Sequence, residues 1–277
     1  MNYVIFNGKL TEECDVYISP NDRGFRYGDG VFETVLIHGG RPYNWDFYWK
    51  RLSQGLAAVR MNLDISALPS LCSELLLANN FKAGLLRIQI TRGVGGRGYL
   101  PEKSIPPTLL IETMVLPAPP NAITLWLSSY AKISPKALPV NYKICQGMNP
   151  TLARIEAAEN NCFDALILNE AGQICETSSA NIFWLKDGVL YTPALSCGVL
   201  DGSIRNVIIR LSPYPIQEVA VGLEALKNAQ SVFITNTAHK IVGIRELKPL
   251  GISFNSNDLA KQMLHLLDTD IARRTLN

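Results

Sequence analysis

The chain reads as two α+β domains with mixed or antiparallel sheets, and three observations carry that reading. Apolar runs of strand length and longer stretches with helical spacing follow one another without the strict β-α-β alternation of a doubly wound fold. The run Pro117-Ala118-Pro119-Pro120 favours an extended linker. The 277 residues suffice for two modest hydrophobic cores. The expected organisation is a small N-terminal domain over 1–116, a proline-rich linker over 117–121 and a larger C-terminal domain over 122–277.

Each element has a local reason. Tyr3–Phe6 is a short apolar run closed by Asn7-Gly8, a hairpin signal. Val31–His38 reads as a second strand, turned by Gly39-Gly40. Trp45, Tyr48, Trp49, Leu52, Leu56 and Val59 recur at helical spacing, which predicts an amphipathic helix over Asn44–Arg60. Ser66 is placed to cap a second helix running through Asn79. Leu85–Thr91 and Thr108–Val115 read as strands around a glycine-rich loop, and Ile123–Ser128 as a strand after the linker. Asn149-Pro150 predicts a helix start with proline at the first position, ending near Asn160. Ala165–Leu168, Ile182–Leu185 and Val189–Tyr191 read as strands, the last two turned by Asp187-Gly188. A helix over Gly202–Leu211, strands at Ser231–Ile234 and Ile241–Arg245, and a closing helix over Asp258–Arg273 complete the pattern.

Composition narrows the function. A net charge of +2, with no block of like charges, argues against nucleic acid or an anionic membrane as partner. The N-terminal apolar run is too short for a signal peptide and no later stretch is long enough to span a bilayer, so a cytoplasmic protein is expected. The six cysteines are scattered without a C-x-x-C, and the three histidines are not paired at ligand spacing. Small buried thiols in a reducing compartment and no metal site are expected.

Gly93, Gly95 and Gly98 form a literal G-x-G-x-x-G. A dinucleotide fingerprint needs a helix next, and Leu100-Pro101 through Pro106-Pro107 rules that helix out. Taken alone, the loop reads as a long mobile turn. It also presents Arg92, Arg97 and the hydroxyl of Tyr99, and a guanidinium binds a carboxylate through two parallel hydrogen bonds. Lys143 lies in the apolar stretch Val140-Asn141-Tyr142-Lys143-Ile144-Cys145. Burial there favours the neutral, nucleophilic amine. By itself this lysine, like any other, is ordinarily a solvated charge, and Glu176 is ordinarily a surface acid after a turn.

Several segments in order alter that weighing. Asp22-Arg23-Gly24-Phe25-Arg26-Tyr27-Gly28-Asp29-Gly30-Val31-Phe32-Glu33-Thr34 resembles the N-terminal signature of the class IV pyridoxal-5′-phosphate (PLP) enzymes. Arg51-Leu52, the Gly93–Tyr99 loop, Lys143 with Glu156-Ala157 downstream, Asp164–Asn169, Glu176 with Asn181-Ile182-Phe183, Tyr191-Thr192-Pro193 and Leu200–Arg205 follow in that family's order. The resemblance spans nearly the whole chain. It implies a two-domain fold type IV enzyme, similar to D-amino-acid aminotransferases, with PLP as cofactor, a homodimer, and the larger domain carrying the PLP lysine.

The resemblance also assigns roles. Lys143 is the implied Schiff-base lysine and proton carrier. Glu176 is implied to face the pyridine nitrogen and strengthen the ring as an electron sink. Arg51, Thr237 and the backbone of Ser203 and Ile204 at a helix start are implied phosphate ligands. Phe32, Arg97, Tyr99 and Ala238 are implied to meet a carboxylate-bearing amino substrate. The sequence departs from the family at Tyr48, often histidine, and at Ser203-Ile204, often Ile-Thr. D-amino-acid transaminases carry tyrosine at the Phe32 position and histidine at the Tyr99 position, so that specificity is disfavoured.

Two reactions share the first steps. The loop Arg92–Tyr99 and Ala180-Asn181-Ile182-Phe183-Trp184 resemble the 4-amino-4-deoxychorismate lyases, which release pyruvate and 4-aminobenzoate for folate biosynthesis. The lyase is therefore favoured over a transaminase acting on branched-chain or D-amino acids with 2-oxoglutarate. A non-catalytic PLP- or small-molecule-binding protein is the alternative of another class, against which Lys143 with Glu176 argues.

Overall fold

A computed structural model of the chain describes residues 2–275. It divides into two compact units. The first holds the residues up to Leu116, the segment Tyr142–Gln146 and the chain from Ala272 onward; the second holds Pro117–Asn141 and Gly147–Ile271. The segment bearing Lys143 therefore groups with the first unit, not with the larger C-terminal domain where the sequence placed it. The reason is backbone pairing: Phe32 N–H donates to the Lys143 carbonyl (2.8 Å) and Cys145 N–H to the Gly30 carbonyl (2.9 Å).

In the first unit, β1 (Tyr3–Phe6) and β2 (Lys9–Glu12) form the expected hairpin. Asn7 and Gly8 both take positive φ, 49° and 80°, as a two-residue hairpin turn requires. The short helix α1 (Arg23–Tyr27) follows, capped by the Asp22 side chain accepting from Gly24 N–H and ended by left-handed Gly28. Next come β3 (Gly30–His38), β4 (Arg41–Pro42), α2 (Trp45–Ala58), α3 (Leu68–Ala78), β5 (Gly84–Thr91) and β6 (Thr108–Met114). The sheet order is β2-β1-β6-β5-β3-β4, antiparallel throughout. Alternation divides its faces. Val31, Val35 and Ile37 of β3 and Leu86, Ile88 and Ile90 of β5 join Leu52, Leu56, Leu68 and Leu75 of the two helices in one core. Each such side chain contributes about 1.5–3 kcal/mol by burial. Phe32 and Arg87 stand on the opposite face. Ser66 does not cap α3: its amide and hydroxyl turn back to Asp64, and the helix opens at Leu68-Pro69 without a side-chain cap.

The second unit contains β7 (Ala122–Leu127), α4 (Met148–Glu159), β8 (Asp164–Leu168), β9 (Ile174–Thr177), β10 (Asn181–Lys186) and β11 (Val189–Pro193). It continues with α5 (Ser203–Leu211), β12 (Ile216–Val219), α6 (Glu224–Lys227), β13 (Ser231–Asn236), β14 (Lys240–Lys248) and β15 (Ile252–Ser253). The closing helix α7 spans Asn257–Thr275. The sheet is mixed, with parallel pairs at β7–β8, β7–β14 and β11–β12. Its path β10-β13-β14-β7-β8-β9 returns to β10 through the single pair Asn181–Glu176, so six strands make a closed ring. Ile182 and Trp184, Val232 and Ile234, Val242 and Ile244, Ile123 and Leu125 alternate onto one core. Helix α4 begins two residues before Pro150, at Met148, because the Gly147 carbonyl already accepts from Thr151 N–H. Proline still sits in the first turn, where no helical partner is lost. Among the described residues, no helix is long and apolar enough to cross a membrane.

Candidate active site

In the first unit, Ile144 bridges Val31, so the Lys143 segment lies as an extra strand beside the start of β3. That pairing aims the Lys143 amine over the Phe32 ring, with Nζ 4.4 Å from the centroid. The Arg87 guanidinium carbon lies 4.3 Å from the same centroid. One aromatic ring thus contacts two cationic groups, and Arg87 is also engaged by Gln89 (3.0 Å) and paired with Glu112 (3.7 Å). Arg87 carried no signal in the sequence; its place follows from strand parity.

Arg51, expected to meet a phosphate, is engaged by Glu33. Its Nε donates to Oε1 (2.8 Å) and its Nη2 to Oε2 (2.5 Å), and both side chains are nearly inaccessible, at 4% and 1% exposure. Glu33 shares a face of β3 with Val31 and Val35, which turns it toward α2 and this arginine. The rings of Phe47 and Tyr48 flank the guanidinium at 5.3 and 5.7 Å.

The glycine-rich loop is built from its base. Arg23 of α1 donates to the carbonyls of Gly98 and Tyr99, both at 2.9 Å, and to Asp29 at 2.8 Å. Asp29 also takes Arg92 at 2.8 Å, and Arg92 reaches the Val59 carbonyl at 2.7 Å. Burial alone would raise the Asp29 carboxyl, but the hydrogen bonds and charges of Arg92 and Arg23 outweigh it and hold it below the usual range. Arg92 is therefore a structural strut, not an arm for substrate. Asp22 fixes the other side through Thr91 (3.0 Å) and Thr108 (2.6 Å). The tip is left outward: Arg97 is exposed, and Tyr99 is 88% exposed with its ring 5.6 Å from Tyr27. No helix follows the loop before β6, as its prolines dictate.

In the second unit, Glu176 of β9 is only 6% exposed and carries three donors. Lys132 Nζ approaches Oε1 (2.5 Å), while Asn181 Nδ2 (3.1 Å) and Leu200 N–H (3.0 Å) bind Oε2. Asn181 Nδ2 also donates to the Leu200 carbonyl (2.9 Å), tying the acid to the approach of α5. Helix α5 opens at Ser203-Ile204 behind Gly202 with no side-chain cap. A Cβ on Gly202 would lie 2.0 Å from Asn181 Oδ1, so glycine is needed for this close approach. Thr235, paired with Asn181 across the ladder, has a buried hydroxyl without a hydrogen-bond partner among the described residues. Thr237 and Ala238 lie in the turn just beyond β13, held by Asn236, which accepts from His239 N–H and donates to the Ser179 carbonyl. Buried Asp164 gathers the hydroxyls of Thr177, Ser178 and Ser179 and so shapes the loop between Glu176 and Asn181.

Residues 30–247 match the sequence family described as "Amino-transferase class IV". The chain belongs to that family.

The class IV chain is 31% identical over 261 residues to a putative branched-chain-amino-acid aminotransferase of Methanocaldococcus jannaschii, covering 88% of this chain and 87% of that one. It is 29% identical over 275 residues to an aminodeoxychorismate lyase of Bacillus subtilis, covering 95% and 92%. Its fold is that of the Escherichia coli branched-chain amino acid aminotransferase, with a TM-score of 0.91, 23% identity, and coverage of 98% and 94%. It is thus a fold type IV, PLP-dependent transaminase or lyase.

The residues present fit such a cofactor. An uncapped helix start takes an anion, a buried orphan hydroxyl at Thr235 can serve an oxygen-rich group, and Glu176 offers an acid to a ring nitrogen. The flanking thiols have no nucleophilic part. Burial pushes Cys145 up to about 11 and Cys175 up to about 12, so both stay protonated near neutral pH. Sequence reasoning did not find Lys132, Glu33, Asn181 or Thr235 as functional neighbours. Glu33 and Asn181 stood inside the family motifs without an assigned role, and Glu33 had one local signal, an acid between the apolar residues of a strand.

Proposed function

We propose that this class IV enzyme is a 4-amino-4-deoxychorismate lyase, releasing pyruvate and leaving 4-aminobenzoate. The observation that carries the reading is the loop Arg92–Tyr99, whose sequence resembles the lyases and whose base is fixed by Arg23 and Asp29 while Arg97 stays exposed. The similarity to a lyase across 95% of the chain supports it. Bound PLP supplies an aldehyde for the substrate amine and a ring that holds the electron pair left when a proton departs.

The chain's own residues do the rest. Lys143 Nζ carries the cofactor and then takes the proton from the substrate carbon that bore the amine. Glu176 holds the proton on the ring nitrogen. The N–H groups of Ser203 and Ile204, with Thr237 and Arg51, hold the phosphate. Arg97 and Tyr99 take a substrate carboxylate, and Phe32 and Ala238 line its approach. The substrate carries a carboxylate and an amine, and the reading brings with it a cytoplasmic homodimer, checked by light scattering after gel filtration.

A second reading, a branched-chain transaminase, is favoured by the similarity to the Methanocaldococcus protein. One experiment separates them. Holoenzyme is incubated with aminodeoxychorismate, and separately with a branched-chain amino acid and 2-oxoglutarate. Pyruvate with 4-aminobenzoate supports the lyase; glutamate without them rejects it. Lys143→Ala is expected to abolish turnover by about 10⁴-fold and to remove the visible absorption of lysine-bound cofactor; retention of that absorption places the linkage elsewhere.

A further inference from the structure

Lys132 has no place in the roles above, yet it is the cation nearest Glu176. Its ammonium lies 2.5 Å from Oε1, with exposures of 12% and 8% for the two side chains. The lysine is held by its backbone as well as by its charge. Lys132 N–H donates to the Leu168 carbonyl of β8 (2.8 Å), and the preceding carbonyl, of Ala131, accepts from Asn149 Nδ2 of α4 (2.9 Å). The chain leading to it is fixed by Glu156 of α4, which accepts from the Ser128 hydroxyl (2.8 Å) and the Ser129 amide. Four anchors on two elements thus deliver one amine to one oxygen of one acid.

The donors divide the carboxylate cleanly. Among the described residues, Oε2 is occupied by Asn181 and Leu200, and Oε1 by Lys132 alone. A carboxylate oxygen accepts two hydrogen bonds, so Oε1 keeps a second acceptor direction for a ring N–H while the ammonium fixes its rotamer. A lysine suits this task better than an arginine fork, which would claim both oxygens at once.

We propose that Lys132 is a positioning residue that holds Glu176 Oε1 in place for the cofactor's ring nitrogen. The proposal rests on the assignment of Glu176 to that nitrogen. It gives a function to a lysine 11 positions before Lys143 that carries no cofactor itself.

The test uses holoenzyme of the wild type, Lys132→Met, Lys132→Arg, Glu176→Gln and the Lys132→Met/Glu176→Gln double variant, each checked for folding by circular dichroism. PLP affinity, the pH dependence of the bound cofactor's visible absorption, kcat and KM are read for each. Lys132→Met is expected to weaken PLP binding and lower kcat by about tenfold, the usual scale for losing the partner that orients a ligand. Its spectral titration is expected to move and its KM to stay within about twofold. Lys132→Arg, which keeps the charge but brings a fork that competes for both oxygens, is expected to fall between wild type and Lys132→Met. In the Glu176→Gln background the methionine is expected to change nothing further, since the two act as a unit.

A Lys132→Met enzyme with wild-type spectrum, affinity and kcat, beside a Glu176→Gln enzyme that is impaired, overturns the proposal alone. So does an effect of Lys132→Met that persists in full without Glu176. A Glu176→Gln enzyme with unaltered spectrum and affinity removes the underlying assignment and the proposal with it. Should Lys132→Met not fold, the double variant, which buries neither charge, and Lys132→Arg carry the comparison with Glu176→Gln. A double variant clearly worse than Glu176→Gln then counts against the proposal.

Discussion

Glu33 and Glu176 are both buried acids facing one cation, and they are built for different ends. Glu33 gives both oxygens to the fork of Arg51, a closed pair sealed between a strand and a helix. Glu176 splits its oxygens between an ammonium, an amide side chain and a backbone N–H, drawn from three parts of the second unit. The first arrangement ties a strand to a helix through two of the guanidinium's five N–H donors; it suits Glu33 to a structural role and is compatible with the assignment of Arg51 to the phosphate. The second leaves an acceptor direction open and suits an acid that must meet a ligand. The choice of arginine or lysine as partner marks the difference.

The comparison breaks most easily at Arg51. Arg51→Ala strands the Glu33 carboxylate in the core and is expected to cost about 3–5 kcal/mol of stability, read as a lowered denaturant midpoint. A loss of less than about 1 kcal/mol, the scale of a surface pair, would mean the pair is not the closed unit described. Glu176→Gln is expected to lower kcat on the order of 100-fold with a modest change in stability. Glu33→Gln is expected to do the reverse, and an exchange of these two profiles would invert the assignment.

Arg97→Ala, at the outward tip of the glycine-rich loop, is expected to raise KM about tenfold, one charge-assisted contact, with the cofactor's absorbance intact. Unchanged KM for every active substrate sinks its role. The smallest effect belongs to Asp29. Because its folded value lies below the ordinary 3.8, it stabilises the native state above that pH and loses this contribution as pH falls through the depressed value. The stability gap between wild type and Asp29→Asn should therefore be constant near neutrality and close in acid; a gap that widens in acid would contradict the arginine clamp.

Much of the fold was legible because its strands and long helices bury one face at a regular period. The spacing of Trp45, Tyr48, Leu52 and Leu56 marked α2 to within two residues. What stayed hidden was short or depended on distant partners. Helix α1 has five residues and a glycine, too few to show a period. Strand β9 is buried on both faces yet carries Glu176 and Thr177, so it read as the end of a turn. Ser66 had the chemistry of a cap, but the nearby Asp64 competed for it. The site was legible as a family pattern and not as geometry. Nothing local to Lys132 or Glu33 reports the partner that folding supplies, and the pairing of the Lys143 segment with β3 crosses more than a hundred residues of sequence.

The strand ring of the second unit is fastened at one pair, Asn181 with Glu176, where the other ladders run over several. That seam is the thinnest in the hoop, and its rivets are the side chains expected to grip a ligand. Breathing of the barrel and occupancy of the site are therefore one equilibrium: amides around the seam should trade deuterium fastest when it is empty and slow most when a ligand clasps Glu176.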